Sequence, residues 1–417
     1  MPNQKADYAD MLSALGIRLQ PNAIRKLTKL LGSKEVISLA AGAPSHETFP
    51  LEELAEIAAR VIRERGSSAL QYGPTRGQSA LVEAVAGVLH SRGLTTTKPS
   101  EIVMTSGSQQ GLDLIARVLL DPGDVAMVEL PSYIGGIIAL HNAGAEMIGV
   151  RQDDDGIVTA DLREKLDRAL ATERRVKCIY TIPNFQNPSG VTLAAHRRRE
   201  LLDVADEYDL LIVEDDAYFD LAFTEEAARL APLAAERPDR VVYLGTFSKV
   251  LAPGFRTAWL RAPEELSWKV EIAKEGADLS SSVLDQAIVS EAIREGLIER
   301  RLPGLRRFYE VRCRAMLEAL EQFAPAGSRW TKPTGGFFIL MELAGEADAS
   351  AMLPDAIDHG VAYVPGQPFF VDGSGAGTLR LAFSKESPEA IRAGVERMCS
   401  VFAAMTSSRV TRSVTER

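Results

Sequence analysis

Cysteine is scarce: there are three in 417 residues, Cys178, Cys313 and Cys399, each far from the others. Singletons at that spacing exclude a CxxC metal or redox motif and give no disulfide framework, so reduced thiols are expected. The chain also lacks an uninterrupted apolar run long enough to cross a bilayer. Its first residues, MPNQKADYAD, hold neither an apolar h-region nor a cleavage pattern. A soluble, cytoplasmic protein is the expectation. Positive charge is in deficit, with 47 Lys+Arg against 57 Asp+Glu and a net charge of −10. That excludes a general attraction to nucleic acid or to an anionic membrane. Any anion must be held by a local site. Internal repeats and low-complexity tracts are missing as well.

What is present is an ordinary globular composition, 46% hydrophobic and 25% charged. The length suits two domains and a core large enough to bury a cofactor. Residues 1–50 read as an arm: a short amphipathic stretch, helical spacing over 21–31, an apolar 36–39 and a Gly/Pro-rich loop at 41–50. Helical spacing returns from 51 to about 92, interrupted by turn signals at 72–77. From about 101, short apolar runs alternate with amphipathic stretches. Strands are predicted at 101–105, 125–129, 146–150, 177–181, 210–214 and 240–244, with 257–261 as a seventh. Helical patterns, such as 111–120 and 194–208, fill the intervals. This alternation predicts an α/β fold, its large domain at 51–300 built on a mostly parallel seven-stranded sheet between helices. A long charged helical pattern covers 286–324. Strands at 336–342 and 378–383, with helices around them, predict a smaller α+β domain at 301–405 that the arm completes. Residues 406–417 read as a polar, frayed tail.

Several strand ends carry groups suited to chemistry. TSGSQQG, 105–111, leaves a strand, turns at Gly107 and opens a helix. Free N–H groups and the helix dipole there suit a phosphate, with Ser108 and Gln109 as side-chain donors. Such a turn equally serves as a plain helix cap. In YLGTFSKVLAPGFR, 243–256, Lys249 sits where the sheet stops, the edge at which open α/β sheets bind ligands. A lysine partly desolvated there can lose its proton and attack a carbonyl; in solvent it is only a loop lysine. Arg256 can pair bidentately with phosphate, and Thr246 and Ser248 are further donors.

LLIVEDDAY, 210–218, places Asp215 and Tyr218 beyond another apolar strand. An aspartate beside a pyridine nitrogen keeps that nitrogen protonated. The same acidic cluster otherwise caps a helix or, given further ligands, holds a metal. Asn187, in the turn-rich TIPNFQNPSG at 181–190, can donate to a ring oxygen or serve turn chemistry alone. Tyr133 can stack on a planar ring or pack in the interior. Arg380, inside the apolar TLRLAF of 378–383, requires either a structural ion pair or a substrate carboxylate.

In order and spacing, TSGSQQGL, PNFQNPSG, VEDDAY, GTFSKVLAPGFR and TLRLAFS resemble the fold-type I, pyridoxal-phosphate (PLP)-dependent aminotransferases of class I/II. The chain is similar in particular to the 2-aminoadipate and kynurenine aminotransferase branch, over about Arg25 to Ser384. The resemblance implies ping-pong transfer of an amino group between an L-amino acid and a 2-oxo acid such as 2-oxoglutarate, in a homodimer with a shared active site. It implies that Lys249 is the Schiff-base lysine and moves the proton between Cα and C4′. Asp215 would pair with the pyridine nitrogen, Asn187 and Tyr218 would contact the ring hydroxyl, and Tyr133 would stack on the ring. Ser108, Gln109, Ser248 and Arg256 would hold the phosphate, joined by Tyr72 of a second subunit. Arg380 would clamp the α-carboxylate, with Asn187 and Gly42 also lining the substrate pocket. Arg25 on the arm would reach the substrate side chain, favouring an acidic one. The loop LAAGAP, 39–44, departs from the family's more usual Gly-Gly-Leu-Pro, which keeps aromatic, branched-chain and long aliphatic substrates open. A lyase or decarboxylase of the same fold would share the lysine and the electron sink. An aminotransferase-like effector domain of a transcription regulator would need a DNA-binding domain, for which the residues ahead of the loop at 41 are too few.

Overall fold

The computed structural model describes residues 8–19, 21 and 36–415. The arm contributes a short strand, β1 (Ile37–Ser38). The predicted apolar runs become β2 (Ile102–Thr105), β3 (Val125–Leu130), β4 (Glu146–Asp153), β6 (Val176–Thr181), β7 (Leu211–Asp215), β8 (Val241–Thr246) and β9 (Ala258–Arg261). A two-residue β5 (Gly156–Ile157) adds an eighth strand, so the sheet runs β2-β9-β8-β7-β6-β3-β4-β5. Two residues are too few to show a period, which is why the sequence pattern yields seven. β3, β4, β6, β7 and β8 are parallel, whereas β9 is antiparallel to both neighbours and β5 to β4.

Side chains alternate across this sheet and divide the core into two layers. Val103, Val128, Tyr180, Val213 and Leu244 pack beneath the helices Ser108–Leu119 and Ile134–Asn142. Met104, Met127, Ile179, Ile212 and Tyr243 face the other way, toward Ser79–Ser91, Thr159–Ala171 and Ala195–Glu207. Burial on both faces explains why these strands read as continuous apolar runs rather than alternating ones.

The C-terminal part forms an antiparallel sheet from β10 (Arg329–Trp330), β11 (Phe338–Glu342), β13 (Val364–Pro365) and β14 (Thr378–Ala382), in the order β10-β11-β14-β13. β12 (Val361–Ala362) pairs in parallel with β1, so the arm does join this smaller α+β unit. The charged pattern at 286–324 resolves into two helices, Val283–Arg294 and Leu297–Phe323, separated at Gly296 with φ 66°. The stretch that reads as a tail is instead the end of a helix, Pro388–Thr415. Its earlier turns are anchored by buried Ile391, Val395, Met398 and Phe402, and helix propagation is far easier than nucleation. Arg25 and the helical spacing after Pro21 lie outside the described residues. Among the described residues no helix is long and apolar enough to cross a membrane.

Because β2 and β8 are both antiparallel to β9, they run the same way as β3, β6 and β7. All five carboxyl ends therefore reach one edge of the sheet, and the segments that follow them build the site.

Candidate active site

A cavity of about 400 Å³ opens at that edge. It is lined by Ser108, Tyr133, Asn187, Asp215, Tyr218 and Lys249 from the large sheet's loops, by Arg380 and Phe338 from the small sheet, and by Ala41–Pro44 of the arm. Gly42 belongs to that wall because it has no side chain: a Cβ there would lie 2.5 Å from the Phe338 ring.

Asp215 is the last residue of β7 and 3% exposed. Its Oδ2 accepts a hydrogen bond from the Tyr180 hydroxyl at 3.0 Å, while Oδ1 is buried without a partner. Burial pushes the carboxyl up to about 6; the Tyr180 bond and Lys249 oppose this, and Asp216 adds to it. The neighbouring acids are committed elsewhere. Glu214 accepts from the Leu233 and Ala234 N–H groups, and Asp216 from Asn184 and Tyr243. That leaves Asp215 as the member of the acidic triplet with an oxygen to offer.

Lys249 follows β8 by three residues, its ammonium 5.7 Å from the Tyr218 ring centre and 5.8 Å from that of Phe337. Burial pushes the amine down to about 8; Asp215 opposes the shift, and Arg380 and Arg256 reinforce it. The neutral form is thereby more accessible near pH 7 than for a solvated lysine. The loop-lysine reading therefore gives way to a primed nucleophile.

The helix Ser108–Leu119 starts at Gly107, whose φ is 88°. Across it lies Arg256, itself left-handed at φ 48°, donating to the Ser106 carbonyl at 3.2 Å. A Cβ on Gly107 would sit 2.0 Å from the Arg256 Nη2, so the glycine makes room for the guanidinium at the helix start. The Ser248 hydroxyl accepts from the Thr246 hydroxyl at 3.0 Å, and its N–H donates to that oxygen at 3.1 Å. The Gln109 side chain is turned away: Nε2 donates to the Gly135 carbonyl at 2.8 Å and Oε1 accepts from the Tyr133 hydroxyl at 3.4 Å. Its contribution to an anion at the helix start is thereby limited to its backbone N–H.

Arg380 occupies the middle of β14 and is 2% exposed. It donates to Asn187 Oδ1 at 3.1 Å and to the Ala40 carbonyl at 2.8 Å, and its Nε is buried without a partner. The guanidinium lies over the Phe338 ring at 4.3 Å. Among the described residues no carboxylate pairs with it, so the guanidinium, with its Nε unpartnered, has capacity for an anion. Tyr72 is 81% exposed and outside the cavity of its own chain. Sequence patterning missed Tyr180, Phe338 and the Ala40 carbonyl, since each matters only through a neighbour distant in the chain.

These residues fit PLP on the geometry alone. A primed amine, a buried carboxylate oxygen without a partner and an arginine-covered helix start answer its carbonyl, its pyridine nitrogen and its phosphate. The comparisons agree. Residues 34–398 match the family model for aminotransferase class I and II. Aromatic-amino-acid aminotransferase 1 of Thermococcus litoralis is 41% identical over 94% of this chain and 94% of its own. A multiple substrate aminotransferase from Thermococcus profundus superposes with a TM-score of 0.92 at 40% identity, covering 97% of this chain and 100% of that one. An alpha-aminoadipate aminotransferase from Thermus thermophilus, solved with N-(5'-phosphopyridoxyl)-L-leucine, gives 0.88 at 39% identity over 96% and 100%. Likeness of that extent, on a site shaped for the same cofactor, makes this chain a member of the class I and II aminotransferases, an enzyme that moves amino groups with pyridoxal 5′-phosphate.

Proposed function

We propose that Lys249 holds the cofactor and, once released, carries the proton at the substrate's Cα, with the other site residues in fixed supporting roles. PLP supplies an aldehyde carbon to which amines add and a ring that accepts the electron pair left at Cα. The Asp215 Oδ1, buried without a partner, would hold the ring nitrogen and keep it protonated. Asn187 and Tyr218, which line the same cavity, would hold the ring hydroxyl, and Tyr133 would cover the ring. Ser108, Ser248, Arg256 and the first N–H groups of the helix Ser108–Leu119, Gln109 among them, hold the phosphate. Arg380 orients the substrate by its α-carboxylate, bringing the Cα proton to the Lys249 amine. The observation that carries this reading is the meeting, in one cavity, of a neutralisable lysine with two buried groups lacking charged partners, Asp215 Oδ1 and Arg380.

The chain works as a cytoplasmic homodimer, Tyr72 reaching the partner's phosphate; its 81% exposure outside its own cavity supports this. Residues 51–300 act as the cofactor domain, and 301–405 with the arm as the smaller one. Ala41, Ala43, Pro44, Ile182 and Phe338 offer an apolar wall suited to aromatic, branched-chain or long aliphatic side chains. Arg25 adds a cation for acidic ones, including 2-aminoadipate, glutamate and the acceptor 2-oxoglutarate. Relatives acting on aromatic amino acids, on alpha-aminoadipate and on multiple substrates support this double capacity. Arg25→Ala is expected to lower kcat/KM about tenfold or more for acidic donors while leaving aromatic ones within about threefold. Steady-state kinetics with paired donors checks this, and equal losses would remove the acidic assignment.

The decisive experiment is the absorption spectrum before and after adding L-glutamate without any oxo acid. The yellow band of the bound cofactor should fade into that of the pyridoxamine form. An unresponsive yellow band moves the donor to another amino acid, or the reaction to elimination if ammonia appears without an oxo acid. A protein that cannot be reconstituted with PLP would sink the assignment.

A further inference from the structure

We propose that Tyr180 is a positioning residue for the reaction: it fixes the Asp215 carboxylate so that its second oxygen is presented to the cofactor's ring nitrogen. This rests on the role given to Asp215 above. Tyr180 and Asp215 stand on adjacent parallel strands, and the register pairs Tyr180 with Val213. Side chains alternate along a strand, so Asp215, two residues beyond Val213, projects from the same face as Tyr180. The two meet as diagonal neighbours, hydroxyl to Oδ2 at 3.0 Å, inside the protein. Oδ1 is left buried and free of protein partners.

The place for the phenol is built. Gly136, in the helix Ile134–Asn142, lies so close that a Cβ would come within 2.4 Å of the Tyr180 ring. A buried hydroxyl needs a partner, and the bond it makes here goes to the carboxylate that lines the cavity. Burial, Asp215 and Tyr133 all hold the phenol's proton in place, so it remains a donor.

The sign of the effect follows. Five groups act on or sense Asp215: Tyr180 from β6, Asp216 just after β7, Lys249 from the loop after β8, and the Tyr133 and Tyr218 phenols. Burial and Asp216 favour the protonated carboxyl; the Tyr180 bond and Lys249 favour the carboxylate. Without the hydroxyl, Asp215 takes up a proton at higher pH, and a neutral Asp215 no longer holds the ring nitrogen protonated.

The test uses Tyr180→Phe, which keeps the ring packing, in the full-length holoenzyme. The rate of the half-reaction with L-glutamate is expected to fall about tenfold, with KM nearly unchanged. The acid limb of the kcat/KM pH profile should move up by about one unit, and apoprotein should bind PLP about tenfold more weakly. In an Asp215→Asn background the same substitution should cause no further loss. An unchanged acid limb and cofactor affinity would overturn the inference. So would a full further loss in the double variant, which marks packing alone. If Asp215→Asn by itself leaves rate and spectrum intact, the assignment of Asp215 fails and takes this inference with it. Should Tyr180→Phe not fold, Gly136→Ala displaces the ring while keeping the hydroxyl, and is read by the same measurements.

Discussion

Lys249→Ala is expected to lower transamination by at least about 10⁴-fold, with the protein still folded and still able to bind PLP. The argument is chemical. The amine at the end of β8 is pushed down to about 8 by burial, so a useful fraction is neutral near pH 7. No second lysine lines the cavity, and Tyr133 and Tyr218 are phenols that burial pushes upward, away from service as a base. Asp215, the other base lining the described part of the cavity, is bound by Tyr180 and assigned to the ring nitrogen, so removing the amine leaves no free base for the Cα proton. The measurement is a single-turnover absorbance trace with L-glutamate. Turnover within tenfold of the parent would place the proton transfer on another group.

Arg380→Ala is expected to reduce kcat/KM for amino donors by about 10²- to 10³-fold, the scale of deleting one partner of a buried, hydrogen-bonded charge pair. Arg380→Lys should recover little, because a point charge on a flexible stem cannot replace a planar fork seated on Phe338. The discriminating control is an amine lacking the α-carboxylate, whose slow reaction should be indifferent to the substitution. Loss of the guanidinium relieves desolvation while deleting bonds to Asn187 and Ala40, so the melting temperature should shift little as the kinetics collapse. A large fall in melting temperature with unchanged kcat/KM would make Arg380 structural.

The large sheet was legible because strands covered on both faces leave contiguous apolar runs that turn residues punctuate. Lys249 and Asp215 were legible for a related reason: each interrupts the pattern where an apolar run stops, at the edge where ligands bind. The Tyr180 bond to Asp215 was not, since it depends on the register between β6 and β7, and Tyr180 alone reads as one more core aromatic. That the arm joins the C-terminal part was legible too, but not which of its carbonyls meets Arg380, nor that Phe338 lies under the guanidinium. The antiparallel course of β9 and the helix running on to Thr415 likewise reflect packing and cooperativity rather than local pattern.

The way the arm is held has an evolutionary consequence. The Leu39, Ala40, Ala41 and Ala43 carbonyls accept bonds from Ala382 N–H, Arg380 and the Ser384 hydroxyl. Every one of these uses a main-chain carbonyl of the arm, which every residue type carries. Side chains at 41 and 43 are therefore free to drift, re-lining the pocket wall while Arg380 stays seated. Gly42, pressed against Phe338, has no such freedom. A lineage with this architecture can exchange one amino acid for another as its substrate by small steps in a loop, without passing through an ancestor that has lost its chemistry.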